Sequence, residues 1–107
     1  MTTEEALEVL CENVKRKCSI TWTDEDTENT VKTIVEDAVE AMRHKLGIAE
    51  SSSPEAFLKA GTTRTLFENY CLYAWNHMVD EFEKNYRSMI LMERHRYEVE
   101  YGKTTST

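Results

Sequence analysis

The chain has 107 residues, of which 13 are lysine or arginine and 20 are aspartate or glutamate, for a formal net charge of −7. This length fits one domain with its own core, and the acidic balance argues against a protein that coats DNA or an anionic membrane, because both need a basic surface. No apolar run approaches the roughly 18 residues of a membrane span, and no secretion signal opens the chain. We therefore expect a single-domain protein that is made and kept inside a cell.

Two amphipathic helices are predicted in the first half of the chain. The first runs from about Thr3 to Lys17, where Thr2 and Glu5 have the spacing of a capping box and apolar residues recur at helical spacing. The second runs from about Asp24 to Leu46, and Gly47 is placed to end it in the left-handed conformation. The three cysteines fall on apolar helical stripes and are expected to be buried free thiols.

The second half of the chain predicts two further helical segments. A connector from Ile48 to Thr62 is expected to have no contacts with the core, and a third helix begins near Thr62 or Thr63. A fourth segment follows from about Phe82 to Tyr97. The pattern leaves open whether this segment continues the third helix or kinks away between Asn76 and Glu83.

Together these elements predict an all-α fold, a compact bundle of three to four helices in one domain that spans residues 1–101. Residues 102–107, GKTTST, have no apolar anchor and are expected to form a flexible C-terminal tail. The side chains expected at the centre of the bundle come from the first three helices: Leu10, Val14, Val35, Ala38, Met42, Leu66 and Tyr70.

An acidic cluster opens the second helix, and its members are Asp24, Asp26 and Glu28. These acids match the first ligand positions of a calcium-binding EF-hand loop. Asn29 stands where that loop needs glycine, however, and Val35 stands where it needs a bidentate glutamate. A helix start explains the cluster better: Thr23 caps the helix, Asp26 three residues later reciprocates, and the acids stabilise the helix dipole.

No other constellation in the sequence points to catalysis or to a cofactor. His77 and Glu81 lie one helical turn apart, but two solvated side chains are a much commoner explanation of this spacing than a metal site. No nucleophile motif and no glycine-rich phosphate loop is present. Acidic and basic residues at i, i+4 spacing, such as Arg94 with Glu98 and Arg96 with Glu100, indicate an exposed helix face. We therefore expect no enzyme, no metal and no cofactor.

One apolar run exceeds what a core needs, because Met89, Ile90, Leu91 and Met92 are consecutive and must surround more than one face of a helix. One face can pack on the domain, and the other is then exposed and marks a protein contact. A fourth helix clamped between two others is the alternative. The residues predicted to form a subunit or partner interface are Met89, Leu91, Met92, Trp75 and Tyr101.

Two segments of the chain, taken in order, resemble the small head–tail connector proteins of long-tailed bacteriophages and prophages. These proteins are also called adaptor or head-completion proteins. These segments are WTDEDTENTVKTIVEDAVEAMRHKLGI and TLFENYCLYAWNHMVDEFEKNYRSMILMERHRY. In that family an acidic D-x-D opens a helix that carries a lone A and ends in L-G, and a later helix carries F-x-x-x-Y and then L-x-x-x-R. The matching positions, with the arginine one place early, are Asp24, Asp26, Ala38 or Ala41, Leu46, Gly47, Phe82, Tyr86, Leu91 and Arg94.

The resemblance covers roughly residues 5 to 101 and implies a virion structural protein. Its subunits form a ring, twelve-fold in virions of the family, that docks beneath the portal, extends the DNA channel and joins the head to the tail. The implied partners are further copies of the chain, the portal protein and the next head-completion or stopper protein. DNA passes through without specific binding, and an acidic wall suits such a passage because it repels phosphates. The implied location is the head–tail junction, with assembly in the host cytoplasm.

Two other functions compete with the connector. A small acidic helical regulator would bind a host or phage protein through its Met-rich last helix. An acidic helical chain can also mimic DNA by presenting carboxylates where phosphates would lie. An enzyme has only scattered carboxylates in its favour.

Overall fold

The computed structural model describes the backbone of residues 2–105 and the side chains of residues 2–101. Within this range the fold is an all-α bundle of four helices without β-strands, as the sequence predicts. The connector between the second and third helices holds two single 3-10 turns, Glu50–Ser52 and Glu55–Phe57. The helices are α1 (Thr3–Lys17), α2 (Glu25–Leu46), α3 (Thr62–Trp75) and α4 (Val79–Thr105). Residues 106 and 107, the end of the predicted tail, lie outside the described residues.

The predicted capping box of α1 is present in both directions. The backbone N–H of Glu5 donates to the Thr2 hydroxyl at 3.1 Å, and the backbone N–H of Thr2 donates to the Glu5 carboxylate at 3.0 Å. At the other end of α1, Lys15 is buried and its ammonium donates to the carboxylate of Glu28 on α2. This hydrogen bond is the main cause that raises the pKa of Lys15. Glu28, one of the acids that open α2, therefore holds the first two helices together.

The acidic cluster does begin a helix, but its cap lies one residue later than the predicted Thr23. Asp24 is the N-cap, and its carboxylate accepts the backbone N–H of Thr27 at 3.0 Å and the Thr27 hydroxyl at 2.8 Å. The same Thr27 hydroxyl accepts the indole N–H of Trp22 at 2.8 Å. The two oxygens of the Asp24 carboxylate each accept one donor of Thr27, and this pair of hydrogen bonds places the cap at Asp24.

We expect Asp24→Ala to lower Tm by a few degrees, because the N–H of Thr27 loses its acceptor at the positive end of α2. Thr23→Ala is the matched control and is expected to leave Tm unchanged. Calcium at millimolar concentration is expected to shift the Tm of the wild type no more than an ionic-strength control does. Thermal unfolding followed by circular dichroism measures all three. A saturable stabilisation by calcium would contradict the helix-start interpretation.

The core contains the residues that the sequence predicts, with one of them at its edge. Six are buried, and Tyr70 is half-buried against them. The connector was expected to have no contacts with the core, and this expectation is wrong. Two of its residues, Ile48 and Phe57, are buried there. The Phe57 ring meets the Phe67 ring edge to face, with centroids 4.6 Å apart. Two short apolar stretches, 48–49 and 56–58, flank a polar serine-rich run and form no helical or strand period, so the pattern did not indicate their burial.

Three helices end in the same way, with a residue in the left-handed conformation followed by an apolar one. The pairs are Ser19 with Ile20, Gly47 with Ile48 and His77 with Met78. In each pair the N–H of the apolar residue donates to the carbonyl five residues back, at 2.8–2.9 Å, which is the Schellman arrangement. The ending at His77 separates α3 from α4 and resolves the continuity that the sequence left open. Ile20 and Ile48 are buried, whereas Met78 is exposed.

Candidate functional site

The apolar run Met89–Met92 divides between the two sides of α4. Ile90 is buried and Met89 is half-buried against the core. Leu91 and Met92 point outward, with exposed fractions of 56% and 74%. No other helix of the described chain covers the outer side of α4. Its inner side packs on α2 and α3, and its outer side presents two large apolar side chains to solvent. Two large exposed apolar side chains on one side of a helix make this surface a candidate for a protein contact.

Basic side chains surround Leu91 on the outside of α4. Arg87 lies one turn before it and Arg94 one turn after it, so both share its stretch of helix surface. Both are exposed, and Arg94 forms an ion pair with Glu98 at 3.3 Å. The outer surface at this point is an apolar residue between two guanidinium groups.

Met92 belongs to a second strip of the same outer side. It lies two turns before Val99, which is also exposed, and the two border a shallow cleft of about 450 Å³. The remaining lining residues of this cleft are His95, Arg96 and Glu100. Leu91 and Met92 together give α4 an outer surface that is apolar at its centre and charged at its edges, which is the usual composition of an interface centre and its rim.

Two of the five predicted interface residues are engaged within the chain instead. Trp75 is half-buried and packs against the core at the end of α3. The hydroxyl of Tyr101 accepts the backbone N–H of Ala49 at 2.9 Å, and its ring stacks on Tyr97 with centroids 5.9 Å apart. Tyr101 thus fastens the connector to α4. With Met89 half-buried as well, Leu91 and Met92 are the members of the predicted set that face solvent.

A polar network that the sequence did not indicate lies on the inner side of α4. Glu93 is buried, with an exposed fraction of 5%, and the guanidinium of Arg96 donates two hydrogen bonds to its carboxylate, at 2.9 and 3.0 Å. The hydroxyl of Thr63 on α3 donates to the same carboxylate at 2.5 Å and is 2.7 Å from the Tyr97 hydroxyl. The hydrogen bonds from Arg96, and then those from the side chain and backbone N–H of Thr63, hold the pKa of Glu93 below its ordinary value.

This network borders a groove of about 820 Å³ between the connector and α4. Glu55 and Lys59 of the connector side line it, opposite Arg96 and Glu100 of α4. Charges of both signs face each other across the groove, and the carboxylate of Glu93 is fully engaged by Arg96 and Thr63. A satisfied buried network of this kind holds two elements together, so its contribution is to the stability of the fold.

Reactive chemistry has little basis in the described residues. Burial raises the pKa of each cysteine thiol, most strongly that of Cys71, and the carboxylate of Glu28 raises the pKa of Cys11 further. Thiolate, the nucleophilic form, is therefore disfavoured at all three cysteines. Among residues 2–101 no three His, Cys, Asp or Glu side chains converge in a way that could hold a metal ion.

The candidate site is thus the outer face of α4, where Leu91 and Met92 are exposed. No helix of the described chain is both long enough and apolar enough to cross a membrane. Comparisons of the chain with protein-family models, with curated proteins and with solved structures found no match.

Proposed function

We propose that this chain is a structural subunit of a phage head–tail connector, which assembles as a ring beneath the portal and joins the head to the tail. The observation that carries the proposal is the outward half of the apolar run, Leu91 and Met92, on a helix whose inner side packs on the bundle. A subunit of a ring needs such a surface for its neighbour. The sequence resemblance gives this contact its biological setting.

The charge of the chain supports the same function. A formal net charge of −7 disfavours tight binding of phosphates, and a wall that lines a DNA passage must release the DNA. The basic residues that do occur around Leu91 lie at the edge of the apolar surface, where charges orient a partner and raise the rate of association. The portal protein and the next head-completion protein are the further proposed partners, and the proposed location is the head–tail junction of the virion.

We expect Leu91→Lys to leave the monomer folded and to prevent connector assembly. More than half of the side chain is already exposed, so the Tm of the isolated protein should change by no more than about 2 °C. In the phage that encodes the chain, heads should package DNA and fail to join tails. Thermal unfolding of the purified variant and electron microscopy of the lysate measure the two effects.

Two control variants make this experiment specific. Thr33→Lys introduces the same side chain at an exposed position of α2 and should not affect assembly. Leu91→Met keeps the surface apolar and should assemble normally. Unfolding of the Leu91→Lys monomer would place Leu91 in the core. A folded Leu91→Lys protein that still yields infectious particles would contradict the connector function, and a complex with one non-virion protein instead of a ring would favour the regulator.

A further inference from the structure

The middle of α4 is a basic stretch on an acidic protein, and it lies between the exposed acids Glu83 and Glu98. From Lys84 to Arg96 the sequence contains four lysine or arginine residues and a single acid, Glu93. That acid is buried on the inner side of the helix, whereas the four basic residues are exposed. The exposed charged residues of this stretch are therefore all basic, with Leu91 between Arg87 at i−4 and Arg94 at i+3. Two of the four are paired within the chain, Arg96 with Glu93 and Arg94 with Glu98, one turn beyond the stretch.

The outer face of α1 has the same layout with the opposite charge. The chain has no lysine or arginine before Lys15, and the four acids that precede it are all exposed: Glu4, Glu5, Glu8 and Glu12. Val9 lies among them with an exposed fraction of 40%. Glu5 at i−4 and Glu12 at i+3 flank it, the spacing that the two arginines have around Leu91. An apolar residue thus lies between two carboxylates on α1 and between two guanidinium groups on α4.

The positions of the two helices leave both faces available at once. α1 packs on α2 and α3, and α4 packs on the same two helices, so α1 and α4 form two flanks of the bundle. A contact between the α4 face of one copy and the α1 face of another uses two different surfaces on each subunit. Such a contact is heterologous, and it either closes into a ring or extends as a filament.

We propose that the partner of the α4 face is the α1 face of a second copy of this chain. Leu91 of one subunit packs on Val9 of the next, and Arg87 and Arg94 lie against the exposed acids of α1. A second copy is favoured over other occupants because both halves of the complementary pattern are on this chain, at matching spacing. Copies with a formal net charge of −7 repel each other in most other orientations, which selects this one. The inference rests on the proposed ring and names the two surfaces that form it.

Reciprocal charge reversal tests the pairing. One variant carries Arg87→Glu and Arg94→Glu, which makes the α4 face acidic. A second carries Glu8→Lys and Glu12→Lys, which makes the α1 face basic and leaves Glu5 in its capping box. In either variant alone, the substituted residues of one face meet charges of the same sign on the other face. In a 1:1 mixture, each α4 face meets an α1 face of opposite charge, and the same holds for a single chain that carries all four substitutions.

Sedimentation velocity of the full-length chain at low salt, at concentrations up to about 1 mM, measures the association. We expect each paired reversal to weaken self-association about tenfold or more, and we expect the mixture and the fourfold variant to return to within about threefold of wild type. Lys32→Glu with Glu36→Lys, two exposed positions of α2, is the control pair and should have no effect. Circular dichroism verifies that every variant is folded.

The same variants in the encoding phage separate the two proposals. Infectious particles lost in each paired reversal and restored in the fourfold variant support both the pairing and the connector function. If the fourfold variant restores self-association in sedimentation but every variant is fully infectious, the pairing is supported and the connector function is overturned. A third outcome is that each paired reversal loses infectious particles and the fourfold variant restores neither the particles nor self-association in sedimentation. This result overturns α1 as the partner and leaves the connector function standing. No effect of any variant in either assay overturns both.

Discussion

Val35→Asp is expected to abolish the fold. The side chain of Val35 has an exposed fraction of 0% and lies in the core cluster that joins α1, α2 and α3. An aspartate there would bury a carboxylate in an apolar surrounding, and the cost of several kcal/mol is comparable to the whole stability of a domain this size. Circular dichroism at 222 nm and gel filtration should show an unfolded or aggregated chain.

Two controls on the same helix calibrate this result. Thr33→Asp introduces the same charge at an exposed position and should remain fully helical. Val35→Ala removes two methyl groups without adding a charge and should lower the free energy of unfolding by about 2 kcal/mol. A soluble and fully helical Val35→Asp protein would mean that this face of α2 does not form the core.

Much of this fold follows from local signals in the sequence. The bounds of α1 are those expected from its capping box and its basic last turn, and Gly47 ends α2 in the left-handed conformation as predicted. These features depend on residues within one or two helical turns of each other, and such short-range hydrogen bonds can be recognised in a sequence. The exposed pair Leu91 and Met92 was also predictable, because four consecutive apolar residues cannot all share the inner face of a helix.

The features that the sequence missed depend on partners far apart in the chain. The carboxylate of Glu93 meets the hydroxyl of Thr63, 30 residues earlier, and the hydroxyl of Tyr101 meets the N–H of Ala49, 52 residues earlier. Neither pair belongs to a periodic pattern. Thr63 and Arg96, which donate hydrogen bonds to Glu93, look like ordinary surface residues in the sequence. The left-handed residue that separates α3 from α4 is His77 rather than glycine, so the usual signal of a helix end was absent.

Glu93→Gln is expected to be the most damaging conservative change on α4. α3 begins after Gly61, which has no side chain to cap it, and the carboxylate of Glu93 accepts the hydroxyl of Thr63 in the first turn of α3. Glutamine keeps the shape but loses the charge that attracts Arg96 and the positive end of α3. Hydrogen bonds to a charged group contribute about 1.5–3 kcal/mol, and solvent screens the half-exposed Arg96. We therefore expect the free energy of unfolding to fall by about 2 kcal/mol. Glu98→Gln, at an exposed position of the same helix, should cost less than about 0.5 kcal/mol.

The pH dependence of this loss identifies the charge as its cause. The pKa of Glu93 is lowered in the folded chain from an ordinary value of 4.5, so the unfolded chain binds the proton more readily. Stability from this carboxylate is therefore fully present above the ordinary pKa and is lost as pH falls through the folded pKa. The difference in unfolding free energy between wild type and Glu93→Gln should be constant from about pH 7 to about pH 6 and should shrink below the ordinary pKa. Urea denaturation across this range measures it. A difference that stays constant down to the acid limit would mean that glutamine disturbs the packing of α4 and that the charge of Glu93 adds nothing to stability.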